Sequence, residues 1–175
     1  MATVRGYTLP LFIRQTSTNG GVVWAMRNLG QKAIYVRRIM VNVLFDGTTT
    51  PSQSQYQLSR FRTATPTAGT AQTVIKRNTS AAASVVTDAR FSDLGLTQGG
   101  MAIDTPMLSM GAPRTPGACA QYLYDWPAFL TDTTREPMIV PALDGLCLVL
   151  GVVAVIGDGI QGLIEWDEAG GAGQQ

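Results

Sequence analysis

The stretch KAIYVRRIMVNVLF, Lys32 to Phe45, decides the fold. It is dense in β-branched and aromatic residues, which favour a pleated, half-buried surface. Ile34, Val36, Arg38, Met40, Asn42 and Leu44 share one face of an extended chain. Ala33, Tyr35, Arg37, Ile39, Val41, Val43 and Phe45 share the other, which is the more apolar at its C-terminal end. A period of two is a strand signal. The same alternation sends Arg37 and Arg38 to opposite faces, so at most one of them can join a basic patch with Arg60, Arg62 and Lys76-Arg77. Asp46-Gly47 then supplies hairpin chemistry.

Upstream, Gly21 to Leu29 (GVVWAMRNL) reads as a strand behind the turn Asn19-Gly20-Gly21, with Gly30-Gln31 as the next turn. Residues 1–15 look extended. Pro10 lacks a backbone donor, so this segment is expected as an edge strand or a free arm. Downstream, Gln55 to Thr63, Ala71 to Arg77, Met101 to Met110 and Ala118 to Trp126 alternate or run apolar and read as strands. Residues 78–100 are weakly patterned, with a short helix around Ser84 to Phe91 or a long ordered loop as the two readings. Met138 to Val140, Leu146 to Ile156 and Ile160 to Trp166 complete the set. The turn Gly157-Asp158-Gly159 is expected to join the last two as a hairpin. Eight to ten short strands with turn signals between them point to an all-β antiparallel sandwich or barrel. Residues 16–168 form a single domain on this reading. The tail from Ala169, AGGAGQQ, is expected as a flexible or strap-like segment.

Composition agrees. The chain has 175 residues, about one domain's worth. Glu and Lys together number 5, whereas Thr, Val and Ile together number 43, which argues against helices. The chain has no histidine, so Ser-His-Asp, Cys-His and His-metal chemistry are excluded. A net charge of +1 gives no broad footprint for nucleic acid. Eleven of the thirteen basic residues are arginine, the side chain suited to interface ion pairs. Cys119 and Cys147 read as buried free thiols, with a bridge between strands as the other reading. The start, MATVRGYTLP, has no apolar core of a signal peptide, and the longest apolar run, Leu146 to Ile156, is too short for a membrane helix.

The chemistry-bearing motifs have structural readings. GDGIQG, Gly157 to Gly162, matches a dinucleotide fingerprint, but it is followed by strand and tail instead of a helix. Asp46, Asp144 and Asp158 each precede glycine and read as turn residues. Glu165, Asp167 and Glu168 surround Trp166, an arrangement that either binds sugar or Ca²⁺ or is a strand end with Trp166 in the core. No catalytic, cofactor or metal residues are assigned. Asn78-Thr79-Ser80 is a glycosylation sequon by pattern only.

Three stretches carry a resemblance: FDGTTTPSQSQYQLSRFRTATPTAGTAQTVIK at Phe45 to Lys76, SVVTDARFSDLGLT at Ser84 to Thr97, and GDGIQGLIEWDE at Gly157 to Glu168. Together they resemble small virion structural proteins of tailed bacteriophages. The resemblance implies a sandwich of jelly-roll type. It implies a role as capsid decoration or cement, and it brings no catalytic residues.

The expectation is then a non-enzymatic protein on the outer capsid surface of a virion, made in the host cytoplasm. Its partners would be the major capsid protein and itself, as a homo-oligomer, a trimer first. No nucleic acid, membrane or cofactor is expected. The interface candidates are Arg5, Tyr7, Leu9, Pro10, Phe12 and Arg14 on the arm, with Arg37, Arg60 and Arg62. The alternative is a tail or fibre-tip module recognising a host surface glycan through Tyr122, Tyr124, Asp125 and Trp126. A polysaccharide-cleaving enzyme ranks last, because no carboxylate pair stands out for it.

Overall fold

A computed structural model describes residues 5–14, 21–44, 53–64, 66–77, 83–92, 95–113, 119–125, 138–150 and 157–168. Its elements are β1 (Arg5–Arg14), β2 (Gly21–Arg27), β3 (Ile34–Leu44), β4 (Gln53–Arg62), β5 (Thr70–Ala71), β6 (Ile75–Lys76), β7 (Asp88–Phe91), β8 (Ala102–Ile103), β9 (Leu108–Pro113), β10 (Cys119–Asp125), β11 (Met138–Val140), β12 (Gly145–Leu150) and β13 (Gly159–Glu168). The fold is an all-β sandwich of two antiparallel sheets. The first runs β10-β3-β13-β1-β6, with β11 also on β3. The second runs β5-β7-β2-β12-β4-β8, with β9 also on β4.

The core lies between the sheets and follows the period of two. Tyr7, Leu9, Leu11 and Ile13 of β1 are fully buried, as are Ile160, Ile164 and Trp166 of β13. Trp24, Met26, Leu146 and Leu148 face them from the second sheet within the same cluster. Tyr7 stacks on Trp166 with ring centroids 5.9 Å apart, an offset geometry that adds to area burial.

The open sides of the sandwich are bridged by side chains. On one side Gln72 accepts from Trp24 Nε1 at 2.8 Å and donates to the Pro10 carbonyl at 3.0 Å, tying the second sheet to β1. On the other, the Tyr122 hydroxyl of β10 meets Gly111 of β9. At one end, buried Asn28 accepts from Gly30 N and donates to the carbonyls of Lys32 and Pro141. Its backbone also pairs with Asp144 and Leu143, so one residue holds two loops together.

Several expectations are corrected. The described part of the N-terminal segment is no free arm: β1 pairs with β13 from Arg5 through Arg14 and with β6 at Tyr7 and Thr8. It is an integral strand of the domain, because its inward residues complete the core. β12 and β13 lie in different sheets, so they do not form a hairpin; the same holds for β3 and β4. The expected Ala71–Arg77 strand splits between β5 in the second sheet and β6 in the first. Met101–Met110 divides into β8 and β9. Residues 84–91 form no helix; they carry a loop and β7. Asp46-Gly47, residues 151–156 and the tail lie outside the described residues.

Candidate interaction surface

The two sheets treat their outer faces differently. On the second sheet, Val22, Ala25, Phe61 and Cys147 are buried together with Leu96, and Met101 and Ile103 pack against them. The segment after β7 is held there by Leu96 N donating to Val22 O at 2.6 Å and Ser92 N to Val23 O at 2.9 Å. The chain thus covers this face with its own residues.

The outer face of the first sheet carries no such cover among the described residues. Its register aligns four cross-strand rows. Asp125, Arg38, Glu165 and Thr8 form the first, and Leu123, Met40, Leu163 and Pro10 the second. Gln121, Asn42, Gln161 and Phe12 follow, then Cys119, Leu44, Gly159 and Arg14. Leu123 is 59% exposed and Phe12 60%. Contiguous exposed apolar patches mark interaction sites.

A bulge in β3 shapes the charged end. Glu165 pairs with Arg38 and Trp166 with Val36, leaving Arg37 as the extra residue. A bulge re-aims side chains and shifts the alternation. Ile34 and Val36 before it, and Ile39, Val41 and Val43 after it, are therefore all buried. Arg37 and Arg38 both engage acids of the outer face, which corrects the expectation of opposite faces. Arg37 meets Asp167 at 3.0 Å, Arg38 meets Asp125 at 2.9 Å, and Arg38 and Arg77 each approach Glu165 at 3.9 Å. The hydrogen bond to Asp125, then its charge, holds the Arg38 proton more firmly than usual. Burial pushes the Asp167 carboxyl above the usual range, with Arg37 and Arg77 pulling it back.

The expected interface residues scatter. Tyr7 and Leu9 are core and unavailable to a partner in this fold. Pro10, Phe12 and Arg14 are exposed on the outer face of the first sheet, as alternation from the buried Leu11 and Ile13 requires. Arg5 pairs with Glu168 in the ladder. Arg60 and Arg62 sit on β4 of the second sheet, so they share no patch with Arg37; Arg62 binds Asp104 at 2.6 Å. Sequence reasoning missed Leu123, Met40 and Leu163, whose alignment arises only from the register.

The other candidate clusters resolve as structure. Trp166 is core, and Glu168 is buried, accepting from Ser84 Oγ at 2.5 Å, Val85 N at 3.0 Å and Trp166 Nε1 at 3.1 Å. Among the described residues no three His, Cys, Asp or Glu side chains converge to hold a metal. Tyr122 and Tyr124 pack against the core from β10, and Trp126 lies outside the described residues. Both thiols are free. Cys147 is buried, which pushes its thiol up to about 12, whereas Cys119 is exposed, unlike its expectation.

No family model, curated protein or solved structure matches the chain.

Proposed function

We propose that this chain is a non-enzymatic structural protein of a tailed-bacteriophage particle. It is a jelly-roll decoration or cement protein that sits on the outer capsid surface and bridges copies of the major capsid protein. The observation that carries the reading is the outer face of the first sheet, uncovered among the described residues, where an apolar row lies between a charged row and an amide row. Such a face suits docking on a broad protein surface. The acids nearest to it are engaged by arginines.

The jelly-roll assignment is supported by strand order. The runs β1-β13-β3-β10 and β2-β12-β4-β9 place the early strands of the chain beside the late ones in both sheets. A ribbon of paired strands rolled into two facing sheets would give such an order. Its function in a particle is mechanical: contacts present only in the assembled shell stabilise that state by mass action.

The glycan-binding alternative draws less support. Two of its aromatics, Tyr122 and Tyr124, face inward, leaving Asp125 exposed and paired with Arg38. The test is the copy number of this chain in purified particles, measured by quantitative mass spectrometry against the major shell protein. A ratio near a simple fraction of the shell protein is expected. A handful of copies would move the chain to the tail, and absence would remove the virion reading.

A further inference from the structure

We infer that the outer face of the first sheet binds a second copy of this chain, face to face, about a two-fold axis that runs along the strands between β3 and β13. The inference concerns the same face that carries the particle reading: where two copies close on it, a shell protein meets the other surfaces of the pair.

The argument starts from the register. A two-fold axis placed there exchanges β3 with β13 and β10 with β1, while each row keeps its height along the strands. In the charged row Arg38 of one copy then faces Glu165 of the other, twice over. In the apolar row Met40 faces Leu163, and Leu123 faces Pro10. Every central position thus meets a partner of matching character: cation on anion and apolar on apolar. An isologous interface needs that self-complementarity, and most patches lack it. Facing sheets pack about 30° from parallel because each is twisted, so the β3 and β13 positions nearest the axis are displaced least.

Size and cover point the same way. Four strands, each about 4.8 Å wide, cover about 19 Å, and strands of seven to ten residues run about 23–33 Å, a footprint of about 400–600 Å². Accessible area exceeds projected footprint, so the face approaches the roughly 800 Å² per partner of a stable interface. The second sheet buries its outer apolar residues under the chain's own segment around Leu96 to Ile103. Among the described residues nothing covers the first sheet in this way, and a second copy would. An isologous face closes at two copies, so a dimer replaces the expected trimer as the assembly this surface specifies.

Sedimentation equilibrium on the purified full chain, from about 1 to about 100 µM, tests the inference; a tenfold change in affinity corresponds to about 1.4 kcal/mol. A monomer–dimer equilibrium is expected. Leu123→Asp, on an exposed site of an outer strand, should weaken it at least about tenfold without changing the thermal unfolding of the monomer. Arg38→Glu and Glu165→Arg should each weaken it alone, and mixing the two variants should restore a dimer, because each changed charge then faces its complement across the axis while the in-chain pairs stay mismatched. A wild-type chain that stays monomeric throughout, a trimer, or a dimer indifferent to Leu123→Asp and to the charge swap would overturn the inference. Copy number on a particle does not enter these readouts, so a failure here is separable from a failure of the virion reading.

Discussion

The Tyr122 hydroxyl meets both backbone groups of Gly111: it accepts from the amide at 2.9 Å and donates to the carbonyl. Gly111 lies on β9, whose other side is taken by β4 through the pair Gln55–Gly111. One phenol therefore does at this position what a further strand would do. Open strand edges are sites of unwanted pairing, and a side chain that occupies the edge blocks it. Tyr122→Phe removes the hydroxyl and leaves the ring packed. The expected loss is about 1 kcal/mol in urea unfolding, with faster aggregation in light scattering on warming. Unchanged stability and unchanged aggregation would show that water replaces the phenol without cost.

Alternation made most strands readable, because each buries one face. Three features escaped it for physical reasons. The bulge in β3 shifts burial from Ile34 and Val36 to Ile39, Val41 and Val43. Its trace is the jump from a spacing of two to a spacing of three at Arg37-Arg38, which a continuous β-rich run conceals. Sheet membership is not local: nothing in residues 70–77 says that β5 and β6 belong to different sheets. The apolar row of Leu123, Met40, Leu163 and Pro10 gathers one residue from each of four strands, so no window of sequence contains it.

Arg37 and Asp167 give a pH-dependent prediction. Burial raises the Asp167 carboxyl, Arg37 and then Arg77 lower it, and Glu165 raises it. The net shift is upward, so the folded state holds the proton more tightly than the unfolded state does. The stability this lends is fully present below the unfolded value of about 3.9 and is lost as pH rises through the folded value. Arg37→Met removes the main attraction to the carboxylate. It should cost about 1–3 kcal/mol at pH 7 and much less at pH 3, where Asp167 is protonated in both chains. Urea titrations at the two pH values measure this. An equal loss at both would mean that Arg37 acts through packing alone.

Gly162 tests how tightly β13 fits between its neighbours. It pairs with Leu11 on one side and Val41 on the other. A Cβ there would collide with the backbone carbonyl of Met40, which cannot move without opening the ladder. Gly162→Ala is expected to cost about 3 kcal/mol or more. Gly100 is the control: its φ is +89° and nothing lies within 4 Å of an added Cβ. Gly100→Ala should then cost only the backbone strain, about 1 kcal/mol. Chemical denaturation of the two variants side by side decides it, and equal losses would contradict the steric account.

Leu143 sits where a leucine is poorly suited. It is the third residue of the turn Pro141-Ala142-Leu143-Asp144, closed by Asp144 N donating to Pro141 O at 3.3 Å. Its φ is 67°, and the residue is 58% exposed. A branched side chain in the left-handed region costs about 1 kcal/mol, whereas asparagine tolerates that region through its short polar group. The Leu143 amide donates to Asn28 O and its carbonyl accepts from Arg27 Nε, so the backbone is held in place whatever side chain it carries. Leu143→Asn should therefore stabilise the isolated chain by about 0.5–1 kcal/mol, read as a raised melting temperature. A lowered melting temperature would mean that the exposed leucine makes a contact the fold needs, and that the turn's strain is not the controlling cost.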